Sequence, residues 1–128
     1  MHLPGHDFAA YLRTYTAEMT AGTDDPAEVV DRYHAPDIEW VSDGNRLDRA
    51  RLVAHVRPAR RTAREVRVDV QEVVRDGDRV AARYTLRAVL RRGRELRMEA
   101  QLFGTLAADG RLRRVHQITR TLPEPAGR

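Results

Sequence analysis

The 128 residues predict an α+β fold, in which three N-terminal helices cover a curved antiparallel β-sheet and enclose a conical cavity. Three observations carry the prediction. Asp76-Gly77-Asp78, Arg92-Gly93 and Asp109-Gly110 punctuate the second half of the chain, and Asp-Gly between alternating segments signals a hairpin because its central residues adopt positive φ. The segments between those turns alternate with a period of two. The first half instead repeats its apolar residues at helical spacing.

Residues 7–21 read as a helix, with Phe8, Tyr11, Leu12, Tyr15 and Met19 on one stripe and Gly22 as its end. Asp25, Pro26 and Glu28 are the N-cap, first-turn proline and capping-box acid of a second helix. Val29, Val30 and Tyr33 supply its buried side, and Pro36 stops it. Residues 37–43 read as a short strand, with Ile38 and Trp40 on one face and Glu39, Val41 and Asp43 on the other. Gly44 and Asn45 turn the chain into a third helix from about Asp48, stapled by Leu47 and Leu52 and ended or kinked at Pro58.

From Arg64 to Leu122 the chain reads as a four-stranded meander. Val66, Val68 and Val70, then Val80, Ala82, Tyr84 and Leu86, then Met98, Ala100, Leu102 and Leu106 form its apolar face. Arg83, Arg97, Glu99, Gln101 and His116 fall on the opposite face, where they suit cross-strand pairs and a homodimer surface. The element order is α-α-β-α-β-β-β-β. Helices segregated from a meander give a single α+β domain over residues 1–128, with a core at about 8–122 and a disordered tail at 123–128.

Composition narrows the function classes. Without cysteine there is neither a disulfide framework nor a thiolate metal site, and the five histidines lack metal-binding spacing, so no metal is expected. No apolar run is long enough to span a membrane, and Met1–His6 lacks the regions of a signal peptide, which makes the cytoplasm the expected location. The net charge of +4 invites a nucleic-acid partner. The argument fails on distribution: all 23 basic residues are arginine, spread through every element among 19 acids, with few aromatics to stack on bases. No nucleic-acid partner is expected.

The run Tyr33-His34-Ala35-Pro36-Asp37-Ile38-Glu39-Trp40, then a glycine turn, a short helix and a meander ending Asp109-Gly110-Arg111-Leu112-Arg113-Arg114-Val115-His116-Gln117, resembles the nuclear transport factor 2-like superfamily. The SnoaL-like (polyketide cyclase-like, ketosteroid isomerase-like) branch is the nearest. The resemblance covers residues 8–122 and implies a cystatin-like cone, a homodimer and cofactor-free acid–base chemistry on a small apolar molecule. Carried over by position from the isomerase members, the donor tyrosine falls close to Tyr15, the base on Val41 and the second donor on Leu102. Two of three groups are therefore absent. The catalytic aspartate that SnoaL-like cyclases carry near the end of the last strand is also missing from His116-Gln117-Ile118-Thr119-Arg120.

Each candidate has a structural alternative. Tyr15 is a core tyrosine or a donor to a ligand carbonyl. Glu39 and Asp43 are surface acids or cavity carboxylates of raised pKa, and Asp43 doubles as a turn residue. His55, on the expected buried side of the third helix, is a packing residue or a general base. Trp40 is core or cavity wall. Tyr84 and Gln117 are the polar groups expected on the concave face, with Gln117 either bonded to a tyrosine or facing a ligand. Met19, Val41, Met98 and Leu102 complete the expected ligand-binding lining. Two functions remain open: a SnoaL-like enzyme of cyclase, isomerase or dehydratase type, with Tyr15 polarising a carbonyl and His55, Glu39 or Asp43 moving the proton, or a non-catalytic ligand-binding or dimerisation module.

Overall fold

The computed structural model describes residues 2–123. The order is α1 (Phe8–Ala21), α2 (Pro26–Tyr33), β1 (His34–Ser42), β2 (Asn45–Leu47), α3 (Arg49–Thr62), β3 (Ala63–Asp76), β4 (Arg79–Leu90), β5 (Glu95–Leu106) and β6 (Leu112–Thr121). The six strands form one curved, open sheet in the order β2-β1-β6-β5-β4-β3. The α+β class and its three helices follow the sequence reading. Apart from Pro123, the expected disordered tail lies outside the described residues.

The helix starts obey local chemistry. The Asp7 side chain accepts from Ala10 N, Asp25 from Ala27 N and Glu28 N, and Asp48 from Arg51 N, so each helix has an orphan N–H satisfied. Three details differ from expectation. The second helix gives way to a strand directly at His34, before Pro36. The helix of Pro58 runs on to Thr62, because packing of Leu52 and Val56 outweighs one missing N–H donor. A sixth strand, β2, forms a tight hairpin with β1 across Asp43 and Gly44, both at positive φ.

One pairing is parallel. β1 runs alongside β6, with Trp40 opposite Val115 and Ser42 opposite Gln117. This pairing joins the N-terminal half to the meander and carries the end of β1 onto the same inner face. A bulge after Val70 shifts the alternation of β3, so Val73 lies opposite Ala82 and Val74 opposite Ala81.

The inner face packs under the helices. Val68, Val80, Ala82, Tyr84, Ala100, Leu102, Leu112 and Val115 join Phe8, Tyr11, Leu12, Tyr15, Val29, Val30, Tyr33, Leu52 and Val56 in one core. Gly104 lets β5 pack closely there: a Cβ would lie 3.0 Å from Leu112 Cδ2 and 3.1 Å from Val80 Cγ2, so those side chains would have to shift. Burial falls along the sheet. The end around Leu112 and Val115 is sealed, whereas Met19, Leu47, Val53, Val70 and Leu86 are only half-covered against the core. The cone therefore has a filled narrow end and an open wide end.

Candidate functional site

His34 is the polar centre of the filled end. It begins β1, is 0% exposed, and has aromatic rings on several sides. Its ring centroid lies 4.7 Å from Tyr15, 5.8 Å from Tyr11 and 5.8 Å from Trp40, all in edge-on arrangements. Nδ1 lies 2.8 Å from the Val30 carbonyl oxygen, which only accepts, so Nδ1 carries the proton. Nε2 is then the acceptor for the Tyr11 hydroxyl at 2.8 Å. Burial disfavours the imidazolium and pulls His34 down to about 4, leaving it neutral at physiological pH. The same burial raises the Tyr11 hydroxyl well above its ordinary range.

Tyr15 lies one turn further along α1. Its ring stacks on Tyr11 at 5.7 Å and meets Tyr33 edge-on at 5.7 Å. It is 6% exposed, and burial pushes its pKa upward, so it is a neutral hydroxyl. Among the described residues it makes no hydrogen bond.

A second polar group crosses the open end. Tyr84 on β4 donates to Gln117 Oε1 at 2.7 Å, and Gln117 Nε2 donates to Ser42 Oγ at 3.3 Å. The intervening strand carries Ala100 opposite both Tyr84 and Thr119, and this small side chain leaves room for Tyr84 to lean toward β6. Burial raises Tyr84 to about 12. Gln117 thus bonds a tyrosine, one of its two expected arrangements.

The expected carboxylates and His55 are elsewhere. Glu39 is exposed beside Arg114 at 3.4 Å, on the outer face. Asp43 is exposed in the turn at φ 51°, where its carboxylate accepts from Thr119 N at 2.8 Å and from the Thr119 hydroxyl. Those bonds hold its pKa below the ordinary carboxylate range. His55 is exposed rather than on the buried side of its helix. The buried stripe follows Leu52 and Val56, and His55 lies about 100° round the helix from Val56.

The sequence of residues 12–115 matches the profile of the SnoaL-like domain. This chain belongs to the SnoaL-like family. No curated protein matches it by sequence. Solved structures agree on the nuclear transport factor 2-like fold. AclR of Streptomyces galilaeus, provisionally called a hydroxylase, is 18% identical with TM-score 0.69 over 91% of this chain and 79% of that one. A provisionally assigned isomerase from Rhodopseudomonas palustris is 14% identical with TM-score 0.70 over 89% of each chain. A candidate polyketide cyclase from Acidithiobacillus ferrooxidans is 22% identical with TM-score 0.61 over 83% and 82%.

Within this SnoaL-like frame the two carried-over positions bear apolar side chains, one outward and one in the core. Val41 pairs with His116 and alternates outward with Glu39, so the inward side chains of β1 are Ile38, Trp40 and Ser42. Leu102 is 1% exposed and sealed into the core. Trp40 is buried against His34, while Met19 and Met98 are half-covered toward the open end. Sequence reading missed Ser42 and His34. Continuing the period of two from Ile38 and Trp40 points to Ser42; the burial of His34 has no such signal, because it depends on the crossing of α1. No described helix is long and apolar enough to span a membrane, and no described His, Cys, Asp or Glu cluster suits a metal.

Proposed function

We propose that this SnoaL-like domain binds a small, apolar, carbonyl-bearing molecule at the open end of the cone, with Tyr15 polarising the ligand oxygen. The observation that carries this reading is the Tyr15 hydroxyl: neutral, held by stacked rings and unpaired among the described residues. A preoriented donor in an apolar setting pays little to reorganise when an oxygen arrives. Met19, Met98, Trp40 and Tyr84 supply the apolar surroundings. Calorimetric titration with 2-acetylnaphthalene tests it. Wild-type protein should bind, and Tyr15→Phe should weaken binding about three- to tenfold. Equal affinity of both proteins would overturn the role of Tyr15.

Turnover of cyclase, isomerase or dehydratase type is the second reading, favoured by the same polarising donor. The proton acceptors expected for it, Glu39, Asp43 and His55, lie outside the cone. Incubation with β,γ-unsaturated ketones, followed by absorbance of the conjugated product, separates the two readings. Conversion that survives Glu39→Gln, Asp43→Asn and His55→Ala but not Tyr15→Phe would favour the enzyme.

The outer sheet face supports a homodimer. Phe103 and Ile118 are each 60% exposed and Val74 is 58% exposed; the pairings Val74–Ala81, Ala81–Phe103 and Phe103–His116 align Val74 with Phe103, and Ile118 follows two residues after His116 on the same face. Sedimentation at micromolar concentration should give a dimer, and Phe103→Arg a monomer. A monomeric wild-type protein would remove this part of the reading.

A further inference from the structure

We infer that Ser42 is a specificity-determining donor at the open end, its hydroxyl hydrogen directed to the ligand by the Tyr84–Gln117–Ser42 chain. The inference rests on the ligand-binding reading above and assigns a second contact within it. A glutamine amide has two chemically distinct ends. With Tyr84 donating to Oε1, Nε2 is the end that turns to Ser42, and Ser42 Oγ is used as an acceptor. A serine hydroxyl that accepts in this way keeps its own hydrogen to donate elsewhere. At the opposite end Tyr84 has spent its hydrogen and keeps lone pairs. The chain therefore has polarity: it offers a donor at Ser42 and an acceptor at Tyr84.

The backbone fixes this arrangement. Ser42 and Gln117 are register partners in the parallel β1–β6 pairing, and Asp43 N donates to the Gln117 carbonyl oxygen at 3.0 Å. The Asp43 carboxylate holds Thr119 N at 2.8 Å two residues further along β6. The end of β1 is thus tied to β6 on either side of the serine. Ser42 and Gln117 are both half-buried, at the end of the inner face where coverage by the helices falls away. The ligand class that fits is an apolar skeleton with an acceptor oxygen, a ketone or ester carbonyl, toward Ser42. A hydroxyl or enol elsewhere on the skeleton would meet Tyr84.

The test uses two probes of one shape, 2-acetylnaphthalene and 2-isopropenylnaphthalene, which differ in a carbonyl oxygen against a methylene. Wild-type protein should prefer the ketone about tenfold in Kd by calorimetry. Ser42→Ala should reduce that preference to about threefold or less while leaving the hydrocarbon affinity and the melting temperature nearly unchanged. Ser42→Thr should restore the preference. Gln117→Glu supplies an independent arm, because a carboxylate accepts from both hydroxyls; it should draw the Ser42 hydrogen inward and weaken the ketone with Ser42 still present. A ketone preference that survives both Ser42→Ala and Gln117→Glu overturns the role of Ser42 and leaves the binding reading intact. Failure of wild-type protein to bind either probe overturns the binding reading and this inference together.

Discussion

His34 and Gln117 are both polar side chains on the inner side of the sheet, and each is hydrogen-bonded at two atoms. Their surroundings separate them. His34 is fully enclosed, and its partners, the Val30 carbonyl and the Tyr11 hydroxyl, are enclosed with it. Gln117 is half-buried, and its partners Tyr84 and Ser42 are hydroxyls with bonding capacity left over. A closed pair of this kind specifies packing, since any broken bond strands a polar atom without water. An open-ended pair tolerates rearrangement and has something to offer a ligand. The difference assigns structural polarity to the narrow end of the cone and, on the proposed reading, recognition to the wide end.

The largest effects should come from testing apolar packing at the two ends. Leu112 is 0% exposed at the narrow end, so Leu112→Ala should destabilise by about 3–5 kcal/mol. Leu86 is half-covered near the wide end, and Leu86→Ala should cost about 1–2 kcal/mol, less because the site collapses toward solvent. Urea unfolding of both variants measures the difference. Equal losses would mean that the wide end is as tightly packed as the narrow one.

Next in size is the pH response of His34. In the unfolded chain its pKa returns to about 6.5, while the folded value is about 4. Between those values the unfolded state binds a proton that the native state refuses, so stability falls as pH falls. The contribution is complete above about pH 6.5 and is lost by about pH 4, an effect of about 3 kcal/mol. His34→Gln should flatten this part of the profile relative to wild type, although it lowers stability at neutral pH. A wild-type slope retained in that variant would show that other groups carry it.

Smaller again is the paired removal of hydroxyls. Tyr11→Phe leaves His34 Nε2 enclosed without a donor, with an expected loss of about 1–3 kcal/mol. Tyr84→Phe leaves Gln117 able to turn toward water, and should cost about 1 kcal/mol or less. Thermal melts that rank them in the opposite order would reverse the assignment of closed and open ends.

The sequence carried the frame of this comparison further than its details. Valines and leucines at a period of two, with Asp-Gly turns between them, fixed the meander and its faces, since that pattern is local. The caps at Asp25 and Asp48 were equally local. What escaped were consequences of pairing between distant segments. The period of two turns Ser42 inward, but only the parallel alignment of β1 with β6 sets it beside Gln117. The bulge after Val70 turns Val74 outward toward Phe103, and nothing in the alternation of β3 announces it. His55 was placed on the buried side because it lies three residues after Leu52 and beside Val56, whereas the buried stripe runs through those two residues and leaves His55 exposed. The place of Tyr15 on the buried side of α1 was legible because a helical stripe of aromatic residues is visible in one dimension. The closed bonding of its neighbour His34 was not, since it joins residues 23 positions apart.

Tyr15→Phe should have the smallest effect on stability and the sharpest effect on binding. Its ring contributes the stacking on Tyr11 and the edge-on contacts with Tyr33 and His34, and phenylalanine keeps all of these. Its hydroxyl makes no hydrogen bond to a described residue, so removing it breaks none of the native bonds described here. Unfolding free energy should therefore change by about 0.5 kcal/mol or less, with relief from desolvating the oxygen offsetting lost contacts. The contrast with Tyr11→Phe is the informative quantity: the two tyrosines are stacked one helical turn apart, and only the enclosed one should matter to the fold. A loss above about 1.5 kcal/mol for Tyr15→Phe would mean that its hydroxyl is bonded within the folded chain, and the open end would then lack its polarising donor.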